Sequence, residues 1–404
     1  MSEAVQARAN VPAMAAPSLI AVIFINMLGF GIIVPLLPFY AKSFDAEAWQ
    51  IALVFSAYSA GSFFGEPFWG RLSDRFGRKP LLVSTIAANC LCYFALAFAP
   101  NVWAAIVIRL LGGLAAGNGA VVQGYLADVT PPEKRAGKMA WIGAAWNVGL
   151  IFGPMVGGIF AHPESGPAGF RTPLFLASGL AALSVISIAL FIRESREREP
   201  LGERPSRWGA LGAAAGSPVI SRLMLLTFLV GFAFTGIESV FGLWAQARFE
   251  WGPREIGVCF FFVGIAAALT QTLVTGRLSE RYGAGRMLAI GMAVTCVCSA
   301  LQPLSPTGAV TIALMSLTAI GQSVAWPNVS ALISRTADPD KQGAILGLNN
   351  AMGALARVVG PFCAGLAFAN VSIHGPFWLG AIVVAPAILL AVEAARRAKA
   401  MEME

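Results

Sequence analysis

Four ionisable side chains stand inside long apolar runs of this sequence: Glu66, Arg109, Glu238 and Arg357. A charge held in hydrocarbon costs about 3 kcal/mol even on lenient scales, so each is a candidate for handling protons or substrate. A carboxyl in that setting is a natural proton carrier. Glu238 falls in the outer half of its run, and its other reading is a permanently bonded acid that stabilises the bundle. Glu66 precedes Pro67, which cannot donate to the carbonyl of Phe63 and leaves a polar spot there. Arginine does not shed its proton, so Arg109 and Arg357 must each find an acid, a carbonyl or water. Together these groups suggest a proton and a substrate competing for one cavity, with the arginines biasing the acid toward release.

The elements that carry them are membrane helices. Hydrophobic residues make up 57% of the 404 residues and charged residues 12%, which excludes a soluble fold of this size. Runs of about 20 residues with at most one charge match the thickness of a bilayer, and the short alternating segments of a barrel are missing. Twelve spans are expected: 17–40, 50–70, 80–99, 102–127, 138–161, 173–192, 222–246, 255–275, 286–302, 308–333, 342–369 and 374–394. The fold class is therefore an all-α polytopic membrane protein of two six-helix bundles, 1–192 and 222–404, joined by a cytoplasmic linker at 193–221. Its partner is the lipid bilayer. The net charge of +7 is scattered through short loops, so no nucleic acid is expected. With a cytoplasmic N-terminus, the loops of the outer side hold only Lys42, Arg171, Arg248 and Arg254 of the 28 basic residues. Both termini are thus expected in the cytoplasm. The six cysteines lie in apolar runs and the two histidines in separate loops, so neither disulfide nor metal is expected.

The halves look like copies. Gly70-Arg71-Leu72-Ser73-Asp74-Arg75-Phe76-Gly77-Arg78-Lys79 recurs in part at Gly276-Arg277-Leu278-Ser279-Glu280-Arg281-Tyr282-Gly283, and Gly153-Pro154 recurs at Gly360-Pro361. Parallel repeats of this kind imply a substrate site near the bilayer midplane between them. No channel filter is present in the sequence.

Gly70, Asp74, Arg75, Gly77, Arg78 and Lys79 resemble the signature loop of the major facilitator superfamily, a gating latch between the second and third helices. Gly149-x-x-x-Gly153-Pro154-x-x-Gly157-Gly158 resembles the motif of the twelve-helix drug:proton antiporters, and Arg109-x-x-x-Gly113 the family's arginine motif. The resemblance links that arginine to proton coupling. Gly29 to Pro38, with Ala127-Asp128-Val129-Thr130, Glu133 and Arg135, are most similar to the tetracycline efflux branch. Many relatives of that branch carry aspartate where this chain has Asn26, so an acid there cannot take part in coupling here. In the second copy Ala284-Gly285 replace the basic pair, which assigns more of the gating to the first.

The resemblance implies a proton-coupled secondary transporter of the bacterial cytoplasmic (inner) membrane. It would act as a monomer, export amphipathic drugs, tetracycline-like ones among them, by alternating access, and be no enzyme. Glu238, Glu66, Arg109, Arg357 and Asp128 are the candidates for proton coupling. No cofactor is expected: the proton gradient is the energy source, and no GxxxxGK[ST] loop for ATP occurs. The cavity would be aromatic and weakly polar, drawn from Asn26, Tyr58, Asn118, Gln123, Trp146, Asn147, Phe234, Trp244, Gln246, Gln271, Gln322, Trp326, Asn328 and Asn349. Such a lining suits a small amphipathic organic substrate better than a sugar; for any one residue the other reading is interhelical packing. Two further readings remain: transport of a metabolite, and a receptor or scaffold that transports nothing.

Overall fold

A computed structural model describes residues 15–130, 132–195, 217–337 and 342–401. Among them there is no strand. The helices are α1 (Ala15–Ile33), α2 (Leu37–Lys42), α3 (Ala48–Phe76), α4 (Arg78–Leu96), α5 (Val102–Leu114), α6 (Asn118–Val129), α7 (Pro132–Phe160) and α8 (Arg171–Phe191). They continue with α9 (Pro218–Phe249), α10 (Pro253–Leu269), α11 (Gly276–Tyr282), α12 (Ala284–Leu301), α13 (Gly308–Thr336), α14 (Gln342–Asn370) and α15 (Gly375–Met401). Among the described residues, ten helical stretches are long and apolar enough to cross a membrane. Two more expected crossings are helical but differ: α3 carries Glu66, Arg71, Asp74 and Arg75, and the fourth is split into α5 and α6.

That split corrects the expected continuous span at 102–127. Ala115 to Gly117 leave the helix, where Gly117 packs so closely on Trp69 that a Cβ would collide with its ring. The signature stretch is corrected too. Gly70 to Phe76 are the last turns of α3 rather than a loop, and the whole connection is Gly77, whose φ of 97° favours glycine. Its copy behaves alike: α11 ends at Tyr282, and Gly283 turns the chain at φ 85°. Of the expected linker, 196–216 lie outside the described residues, as do the side chains of Glu133 and Arg135. Ser217 caps α9, its side chain accepting from the Ile220 N–H at 3.4 Å.

By contacts the chain divides into two units. The first is Met1–Ala46, Ala57–Gly202 and Gly252–Val258; the second is Glu47–Ser56, Glu203–Trp251 and Cys259–Glu404. Within the first, α1 packs on α7 and α8, and α4 on α6 and α8. Within the second, α9 packs on α14 and α15, and α12 on α13 and α15. The repeat seen in the motifs thus extends to which helix each element chooses as neighbour.

The α1–α7 contact follows from sequence. A Cβ at Gly149 would stand 2.7 Å from that of Met27, and one at Gly153 2.6 Å from the Gly31 Cα; Gly157 abuts Ile32. Glycines at four-residue spacing on one face let the two backbones meet, as small residues do in membrane helices, where lipid leaves no hydrophobic drive for association. In the second unit, Leu223, Leu226, Val230, Leu288, Met292 and Val329 form part of the buried core.

Candidate functional site

At the α3–α4 turn the signature residues gather around one guanidinium. Arg78 is buried, with Nη2 2.7 Å from Asp74 Oδ1, Nε 3.1 Å from Asp128 Oδ2, and Nη1 donating to Ser73 Oγ at 2.6 Å. The i,i+4 spacing on either side of Gly77 aims Asp74 at Arg78, and α6 supplies Asp128 from its last turn. Ser195 Oγ adds a donor to Asp128 at 3.4 Å. Glu194 accepts from the Arg78 N–H at 2.7 Å and the Lys79 N–H at 3.0 Å, closing the bare start of α4 with a carboxylate. Lys79 Nζ reaches the Ala189 carbonyl at 2.8 Å, while Arg75 lies exposed over the Phe76 ring. Asp128, expected among the proton carriers, therefore stands in the same cluster as the residues expected to gate. Ser73 and Glu194 are additions that sequence reasoning missed. Ser73 occupies a position the motif leaves free, and Glu194 sat in a run read only as linker charge.

Deeper in the first unit, Arg109 is 5% exposed, its guanidinium 4.3 Å from the centroid of the Tyr58 ring. Such a contact satisfies part of its charge. Among the described residues Arg109 Nε has no hydrogen-bond partner, nor does Asn89 Oδ1 nearby on α4, which with Cys92 faces Gly112 on the next turn of α5. Gly61, Gly65 and Gly113 bring α3 and α5 into backbone contact, which holds Tyr58 against Arg109. Glu66 is exposed on α3. Gly158, next to Gly157 on α7, meets Pro253 and Arg254.

Four of the expected cavity residues come together here. Asn26, Asn118, Gln123 and Trp146 line a pocket open to solvent between α1, α4, α6 and α7, with aliphatic walls that include Ile86 and Val122. Asn118 Nδ2 donates to Asn26 Oδ1 at 3.0 Å. Asn147, the next residue on α7, is half-buried outside that lining.

In the second unit Glu238 projects from α9, half-buried, with Arg357 of α14 the cation whose field reaches it. No hydrogen bond or ion pair holds Glu238 among the described residues. Gln322 donates to the Val230 carbonyl at 3.2 Å, and its Oε1 is buried without a partner among the described residues. Trp326 packs on Gly353 and Gly231, with Phe234 and Gln246 half-buried along α9 and Gln271 exposed on a π-helical turn, Thr270–Thr275.

Three expected cavity residues are buried among the helices. Asn328 is 2% exposed and donates to the Val324 carbonyl of its own helix; Asn349, 1% exposed, accepts from Thr227 Oγ1 at 2.6 Å. Trp244 is fully buried, its Nε1 donating to His374 Nδ1 at 3.0 Å. Each of the three puts a polar atom into the helix packing and is almost wholly covered.

The Major Facilitator Superfamily model matches residues 19–269 and 223–400. The chain is similar to the tetracycline resistance protein, class C, of Escherichia coli, 28% identical over 85% of this chain and 87% of that protein. It is likewise similar to multidrug resistance protein 2 of Bacillus subtilis (strain 168), 27% identical over 91% of both chains. Among solved structures it resembles the nucleoside transporter NupG, with a TM-score of 0.76 at 16% identity over 94% of this chain and 98% of that one. Apolar helices throughout, two units of matching helix packing and a match spanning nearly the whole sequence lead to one assignment: this integral membrane protein belongs to the Major Facilitator Superfamily, and is a transporter, not an enzyme.

Proposed function

We propose that this transporter exports amphipathic drugs, tetracycline-like ones among them, from the bacterial cytoplasm in exchange for protons by alternating access. The observation that carries the reading is Glu238: a carboxyl within a membrane span, unpaired among the described residues and in the field of Arg357. A structural acid at that depth would be tied down by partners, because an unpaired one costs too much to keep for packing alone. A carrier needs the opposite, a site able to take a proton and give it up. The kinship with proteins named for tetracycline and multidrug resistance supports the cargo class.

In this scheme a proton on Glu238 and the drug exclude one another, and Arg357 biases the acid toward releasing its proton so that the next drug molecule can bind. Arg109, held on Tyr58, serves the first unit, and Glu66, exposed on α3, relays protons from the cytoplasm. The Arg78 cluster with Asp74, Asp128 and Glu194 works as a gate, because one guanidinium ties the ends of α3 and α6 to the start of α4. The protein acts as a monomer in the cytoplasmic membrane, with both termini inside, and draws on the proton gradient with no cofactor.

Reconstituted into proteoliposomes with an imposed pH gradient and offered a drug panel, the protein should drive drug movement against its gradient, and collapsing the pH difference should abolish it. Drug flux indifferent to the gradient would overturn proton coupling; no flux of any drug would overturn the reading as a whole.

A further inference from the structure

Among the described residues, the pocket between α1, α4, α6 and α7 has no charged lining residue. Its polar groups are three amides, Asn26, Asn118 and Gln123, and the indole of Trp146. In the Asn118–Asn26 pair each amide uses one group on the other, which leaves one amide N–H₂ and one carbonyl oxygen without a partner among the described residues. This holds whichever way the two amides are turned, since flipping both only exchanges which residue offers which group. Asn26 is 8% exposed, so its free group is largely withdrawn from water, while Gln123 and Trp146 of the same lining are exposed. Beside it, α6 begins at Asn118 without a side-chain cap, and Gly119 of its first turn lines the pocket. The positive end of a helix favours an acceptor there and disfavours a cation.

A formal charge entering this pocket would trade its water for amides and hydrocarbon, with no opposite charge to meet it. A neutral carbonyl or carboxamide loses little, because the free donor and acceptor replace its water bonds. Aromatic area on Trp146 and the aliphatic walls would hold the rest of such a molecule. We propose that this pocket is a subsite for an uncharged, amide- or ketone-bearing part of an amphipathic ligand, and that the Asn26–Asn118 pair makes it select against cations. The inference rests on the drug-transport reading only for the ligand's being cargo; the preference itself is a property of binding.

Equilibrium binding to the full-length protein in lipid nanodiscs, at neutral pH and without any gradient, tests it. The probes are chloramphenicol, uncharged and amide-bearing, and tetraphenylphosphonium, a lipophilic cation. Wild type should bind chloramphenicol about tenfold more tightly or better, and Asn26→Leu should lose about that factor for chloramphenicol alone. Asn26→Asp, and independently Asn118→Asp, should raise tetraphenylphosphonium affinity by about tenfold, a gain that damage to folding cannot mimic. Wild type binding the cation as tightly as chloramphenicol, binding no chloramphenicol, or both Asp variants leaving cation affinity unchanged would overturn the proposal. Failure of pH-driven flux would instead strike the transport reading and leave this binding preference standing.

Discussion

Arg78 draws Asp74, Ser73 and Asp128 onto one buried guanidinium, and its own N–H is held by Glu194. Lysine lacks the planar fork whose Nε, Nη1 and Nη2 reach three separate partners, so Arg78→Lys should cost about 2 kcal/mol, and Arg78→Ala about 3 kcal/mol, by leaving two carboxylates facing each other. Thermal melting in detergent measures both, and an unchanged midpoint for Arg78→Ala would deny the cluster its role. His374 supplies a pH dependence. Burial, with Arg248 as a second cause, holds its imidazole below the usual value, and Trp244 needs the unprotonated Nδ1 as acceptor. Because the unfolded chain then binds more protons, stability should be full above the ordinary histidine range and fall as pH drops through it toward the lower folded value. Melting followed by tryptophan fluorescence between about pH 7.5 and 5.5 should show that decline in wild type and a flatter one in His374→Gln. At this scale the motif made Asp74, Arg75 and Arg78 legible in advance. It was silent on Glu194, because nothing local in a sequence ties a residue at the end of α8 to the start of α4.

The helices themselves were legible as elements, because a span of apolar residues between charges has one reading in a membrane. Their interruptions were not. The α5–α6 break depends on Gly117 meeting Trp69, and the π-helical turn at Thr270–Thr275 packs on α13, where Thr275 Oγ1 donates to the Ser323 carbonyl at 3.4 Å; both are tertiary facts. The inner loop expected at Gly70 to Pro80 became helix up to Phe76 because charged residues at a water boundary continue a helix as readily as they end one, and only Gly77 takes the turn. The glycine face of α7 gives a prediction for an element. Gly153→Ala places a Cβ against the backbone of Gly31, where nothing flexible can yield, so it should destabilise by about 1–3 kcal/mol. Gly143→Ala, on the same helix with open space around it, should be neutral or slightly stabilising. Equal melting points for the two variants would refute close packing as the reason for the glycines.

Across the whole molecule, the duplication visible as one imperfect motif copy reappears as the same choice of helix neighbours in each unit. Family and fold were readable from the sequence because they rest on hydropathy and on a specific motif. The division of labour between polar residues was not: Asn26 and Asn118 face a pocket while Asn328 and Asn349 are locked in packing, and all four read alike in an apolar run. The central claim is that Glu238 carries the exchanged proton. The most direct measurement compares wild type with Glu238→Gln in proteoliposomes, reading drug uptake driven by a pH gradient beside drug-for-drug exchange without one. The account predicts that Glu238→Gln loses gradient-driven uptake by about a hundredfold or more while exchange persists. Gradient-driven uptake at the wild-type rate in that variant would contradict it.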